Sequence, residues 1–116
     1  MRTLILASLL TCVVMSANAQ YAGPGATPSV ITAKELSANA KDDQRVVIRG
    51  YLIQQLGDET YRFRDETGEV LVKIDKKHWP AGVSVNEKTV VELTGKYDKE
   101  MVGDSKLEVR SFKVLQ

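Results

Sequence analysis

The chain has little of what most enzymes and many binding proteins use. Of its 116 residues one is cysteine, one histidine, one tryptophan and two phenylalanine, and aromatic residues make up 6% of the whole. The cysteine, Cys12, lies in the apolar N-terminal run, so a chain cleaved behind that run has no thiol. A disulfide, a reactive thiol and a cysteine-based metal site are then excluded together. His78 is the lone histidine and has no nucleophile context around it, and there is no glycine-rich phosphate loop. Charge of one sign is also missing: 16 basic residues stand against 15 acidic ones, and without Arg2 the two balance. Counterion release from nucleic acid needs a clustered basic excess, so nucleic acid is not an expected partner. The longest apolar run, Leu4 to Met15, falls well short of the roughly 20 residues of a membrane-spanning helix.

That run has another role. Arg2 supplies a positive n-region, and Ala17-Asn18-Ala19 places small residues where a signal peptidase reads them, the pattern of a cleaved secretory signal. Cys12 follows Leu-Leu-Thr in mid-run and lacks the small residue that precedes a lipidated cysteine. The expected organisation is a signal peptide over 1–19, a flexible Gly/Pro leader over 20–30 and one domain over 31–116, in a periplasmic protein. Residues 20–116 suffice for one small core and are too few for two.

Within the domain the hydrophobic period changes once. "TAKE", Thr32 to Glu35, is a capping box flanked by Ile31 and Leu36 at the positions of a hydrophobic staple, which predicts a short helix from Ala33 to about Ala40 that caps one end of a barrel. From Arg45 the period is two. "RVVIRGYLIQQL" predicts a long strand able to bend at Gly50, and "TYRFRD" and "EVLVKID" predict a hairpin with Tyr61 and Phe63 facing inward with Val70, Val72 and Ile74. A short irregular or helical link, "KKHWPAGVSVNEK", precedes "TVVELTGKY", and "KLEVRSFKVL" needs a bulge between Val109 and Phe112 to keep both inward. Five strands, a bendable first strand and a non-strand link after the third predict an all-β domain with a short helix, a five-stranded Greek-key barrel of the OB type. An SH3-like barrel is the alternative.

The same residues carry a family resemblance. "RG" inside the first strand, the "Y-x-F-x-D-x-x-G" of the hairpin, "V-x-I-D" followed by Trp79, and "GKYDK" after the fourth strand resemble the bacterial OB-fold (BOF) family, small periplasmic proteins of the YgiW and YdeI type. The resemblance covers nearly all of the chain after the leader, and Pro80 departs from it in a loop where a polar residue is expected. It implies an exported OB domain without the usual nucleic-acid-contacting residues, linked to envelope stress responses, with no catalytic residues to carry over.

The candidate site is the outward face of the hairpin, where alternation places Arg62, Arg64 and Lys73, in OB domains the ligand face between two loops. The bland reading is a solvated face in which Asp65, Glu66, Glu69 and Asp75 pair with the basic groups for a fraction of a kcal/mol each. Trp79 offers either a stacking platform for a sugar or a ring that closes the barrel end. Asp75 and His78 lack a third metal ligand, and Asp98, Glu100 and Asp104 do not follow calcium-loop spacing, so no metal or cofactor is expected. The resulting expectation is a non-enzymatic periplasmic binding module with a role in stress tolerance. Its ligand is a small molecule or envelope glycan. The alternative is a regulatory protein that docks onto an envelope enzyme or membrane protein.

Overall fold

A computed structural model of the chain describes residues 28–115. The expected signal peptide over 1–19 and most of the expected leader lie outside the described residues. The helix α1 (Ala33–Asn39) is followed by five strands, β1 (Arg45–Gln55), β2 (Thr60–Arg64), β3 (Glu69–Ile74), β4 (Val91–Asp98) and β5 (Lys106–Val114), with a 3-10 turn at Lys76–His78 after β3. The strands close into a barrel in the order β1-β2-β3-β5-β4. This is the Greek-key order of the OB fold, with β3 and β5 parallel and the other pairs antiparallel. Among the described residues no helix is long and apolar enough to cross a membrane.

Glycine and one extra residue let so short a sheet close. β1 pairs with β4 from Arg45 to Gly50 and with β2 from Tyr51 onward, so it changes partner at the glycine. A Cβ on Gly50 would sit 2.7 Å from the Phe63 ring, and only hydrogen fits there. In β5 the register slips opposite Thr94 and Gly95, where Ser111 faces Thr94 and Val109 faces Gly95. Arg110 is the extra residue of a bulge, and Val109 and Phe112 both remain buried, as the broken alternation required.

The core is one cluster in which Phe63, Val72, Ile74, Leu93 and Leu107 are fully buried together with Leu36 of the helix. The Thr32–Glu35 capping box is formed, and Ala33, Leu36 and Ala40 face the core. The helix therefore closes one barrel end. Trp79 packs at the other, its ring centroid 5.5 Å from Tyr61 and 4.6 Å from Phe112. Three consecutive residues, Val46, Val47 and Ile48, are buried where alternation exposes the middle one. Val47 is covered from outside: its N–H donates to the Ser29 carbonyl at 3.1 Å, and Ile31 N–H donates to its carbonyl at 2.8 Å. Strand-like pairing thus begins at Ser29, inside the stretch expected as leader.

Asp65 corrects one expectation. Its carboxylate does not pair with the hairpin arginines. It accepts from Ala33 N–H of α1 at 2.8 Å and from Thr67 N–H at 2.8 Å, Thr67 Oγ1 at 2.6 Å and Gly68 N–H at 3.2 Å. The hairpin turn and the helix N-terminus are thereby tied through one side chain. Partial burial raises its pKa, but the bonds from Thr67, Ala33 and Gly68 outweigh that and leave it below the ordinary carboxylate value. Because the folded pKa is lowered, this contribution is present above the unfolded pKa and fades as pH falls through the folded one. Asp65→Ala is expected to cost about 2 kcal/mol near neutral pH, as for hydrogen bonds to a charged group. Denaturant midpoints measured against pH should show the gap between the two proteins closing in acid.

Candidate functional site

β2 and β3 place Arg62, Arg64 and Lys73 on the outer face because Phe63, Val72 and Ile74 take the inner one. Arg62 is held there by two neighbours. Its guanidinium lies 3.6 Å from the Glu69 carboxylate across the hairpin, and Nε donates to Gln54 Oε1 at 3.4 Å. Both carboxylate and guanidinium are substantially exposed, so the pair contributes little to stability. Arg64 is exposed opposite Tyr51 and Glu69.

The three basic residues share a face without forming one site. Arg62 lines a groove of about 430 Å³ together with Glu69 and Leu71 of β3, Leu56 of the β1–β2 loop, Asp104 and Ser105 of the β4–β5 loop and Ser37 of α1. Lys73 lines a different depression, about 300 Å³, with Asp75, Lys77, His78, Glu108 and Arg110. Arg64 lines neither. Trp79 is half-buried between Tyr61 and Phe112, which matches the barrel-closing role, and it reaches neither groove. The partial burial of Tyr61 itself, and then the nearby Asp58 and Glu59 charges, push its phenol pKa up.

The acidic residues are engaged locally. Asp75 caps the 3-10 turn, accepting from Lys77 N–H at 3.0 Å. That bond first, and then the nearby Lys77, His78 and Lys73 charges, hold its carboxyl below the ordinary value. In the β4–β5 loop Glu100 is pushed up, chiefly by its hydrogen bond with Asp98, and its N–H donates to Ser105 Oγ at 2.9 Å. Among the described residues no group of three or more metal-ligating side chains converges. Leu56, Leu71, Lys77 and Arg110 were not legible as site residues. Leu71 reads as one more apolar strand residue, and Lys77 and Arg110 meet Lys73 only through the 3-10 turn and the β3–β5 pairing. The bulge was the one sequence signal that pointed at Arg110.

A family model described as "Bacterial OB fold (BOF) protein" matches residues 13–114. The calcium-regulated OB-fold protein CarO of Pseudomonas aeruginosa is 42% identical over 85 residues, spanning 73% of this chain and 72% of that protein. Protein YgiW of Escherichia coli K12 is 34% identical over 90 residues, 69% of this chain and 68% of that one. The solved structure of the hypothetical protein YgiW from E. coli superposes with a TM-score of 0.70 at 29% identity, covering 78% of this chain and 99% of that chain. The telomere capping protein Ten1 from Schizosaccharomyces pombe shares the fold alone, with a TM-score of 0.58 at 15% identity over 76% of this chain and 81% of that chain.

Proposed function

This chain belongs to the bacterial OB-fold (BOF) family, and from that premise we propose that it is a non-enzymatic binding module of the periplasm, exported by the signal at 1–19, that serves envelope stress tolerance by holding a small ligand or an envelope glycan. The observation that carries this reading is the groove between the two loops, where apolar Leu56 and Leu71 lie beside polar Arg62, Asp104 and Ser105. A sugar ring has the complementary surface, an apolar face rimmed by hydroxyls, and OB domains hold oligosaccharides on this face. Single-stranded nucleic acid fits less well. It needs a series of exposed rings for base stacking, whereas Phe63 is buried, Tyr61 packs on Trp79 and Tyr51, opposite Arg64, is the single exposed ring among the described residues. The stress role rests on the family resemblance.

Amide spectra of the isotope-labelled protein titrated with soluble cell-wall glycan fragments test the reading. Saturable shifts are expected at Leu56, Arg62, Leu71 and Ser105. Arg62→Ala should weaken binding about tenfold, the loss of one charge-assisted hydrogen bond of about 1.4 kcal/mol. Spectra unmoved at high glycan concentration would refute it. The docking alternative is favoured by a different feature: Met101 and Val102, at the tip of the β4–β5 loop, are 99% and 89% exposed. Two bare apolar side chains on a loop tip suit a protein partner. In that case a stoichiometric polypeptide should be retained from envelope extracts and lost when both are replaced by serine.

A further inference from the structure

We propose that the seam between β3 and β5 carries a second binding site, for a compact dianion of the phosphate-monoester class, separate from the glycan groove. The cleft on this seam, about 300 Å³, gathers Lys73, Lys77, His78 and Arg110, and Val109 is the one apolar residue in its lining. Its donors come from three elements: Lys73 from β3, Lys77 and His78 from the 3-10 turn, and Arg110 from the β5 bulge. The parallel register sets Lys73 against Glu108, two residues before Arg110. Because Val109 and Phe112 are both buried, Arg110 is left exposed beside the seam. The 3-10 turn then brings Lys77 and His78 back over the same edge, held by the Asp75 cap.

Charge and geometry select the ligand class. Three permanent cations share the cleft with two carboxylates, Asp75 and Glu108. The Asp75 carboxylate is occupied by the Lys77 N–H at 3.0 Å, and the Glu108 carboxylate lies 3.7 Å from the Arg110 guanidinium. Among the described residues neither Lys73 nor Lys77 has an ion-pair partner. Both ammonium groups act on the Asp75 carboxylate from beyond ion-pair distance, so neither is held in a fixed pair, and the cations of the cleft outnumber its carboxylates three to two. A planar carboxylate satisfies a single donor fork, whereas the oxygens of a tetrahedral phosphate point apart and can accept from strand, turn and bulge at once. The small polar cleft has no Phe, Tyr or Trp in its lining, and the His78 imidazole is its single ring, which sets it apart from a nucleic-acid groove with its row of stacking platforms.

Glycerol phosphate added to the isotope-labelled protein at physiological salt should produce saturable amide shifts at Lys73, Lys77, His78 and Arg110, and none at Leu56, Arg62 or Ser105. Glycerophosphocholine, a phosphodiester of the same size class with a single negative charge on its phosphate, should shift them far less. Lys77→Glu and Arg110→Glu, both at exposed positions, should each weaken binding by about tenfold or more, as loss and reversal of a charge contact does, while leaving the rest of the spectrum in place. A phosphomonoester also occurs as a lipid headgroup. Retention of the protein on phosphatidylcholine vesicles containing phosphatidate, but not on phosphatidylcholine alone, with loss in Lys77→Glu, would assign the site to that source. Absence of both shift and retention overturns the proposal, as does equal response to the diester or binding unchanged in both variants. The glycan reading uses other residues and stands or falls by its own titration.

Discussion

Phe63→Ala is expected to lower the unfolding free energy by about 3 to 5 kcal/mol, the usual cost of emptying a fully buried aromatic site. Phe63 is the largest side chain with no exposure, and its ring lies against Gly50, where β1 leaves β4 for β2. Deleting it opens a cavity at the point where the barrel bends, and the glycine has no side chain with which to fill it. A loss of this size is a large share of a small domain's stability. Arg62→Ala, one residue away on the same strand, removes one exposed ion pair and a long hydrogen bond and should stay within about 0.5 kcal/mol of the parent. Denaturant melts that ranked the two in reverse would require a strand register shifted by one residue.

Gly95→Ala should destabilise by about 3 kcal/mol, at the upper end of what forced overpacking costs. A Cβ at Gly95 would lie 2.8 Å from the Glu108 carbonyl carbon and 2.9 Å from Val109 Cα. These are backbone atoms at the β5 bulge, and they cannot rotate away as a side chain would. Relief requires β4 and β5 to separate where the register slips, which also moves Arg110 and the seam. Gly68→Ala is the matched control, since a Cβ there meets nothing within 4 Å, and it should remain near the parent. Thermal or denaturant melts of the two variants measure the difference directly. Equal stability of the pair would show that the bulge yields more easily than its packing suggests.

Most of the fold could be read from local pattern because local pattern caused it. The two-residue period of "YRF" and "VLV" decides which side chains are inward before any partner strand is known. The capping box at Thr32 and Glu35 is a contact between neighbours, and the break between Val109 and Phe112 admits no pairing without a bulge. The family motif "Y-x-F-x-D-x-x-G" likewise has a physical content that the structure supplies: two inward rings, the Asp65 tie and a turn glycine whose N–H meets that carboxylate.

The candidate site was legible only in part, since it depends on pairings far apart in the chain. Alternation was enough to put Arg62, Arg64 and Lys73 on one face. Their division between two depressions follows from which loops and strands border that face, and strand period carries no information about neighbours. Asp65 reads as one acid among several on the hairpin, yet its partner is Ala33 N–H, 32 residues upstream. Val47 reads as an outward residue and is buried by Ser29 to Ile31. Periodicity, caps and glycines thus determined the strands, their inward faces, the bend and the bulge, because those are set by steric and hydrogen-bonding rules acting within a few residues. The tertiary structure alone decided that Lys73 meets Lys77 and Arg110, because the parallel β3–β5 register is fixed by closure of the whole barrel and no single strand encodes its partner.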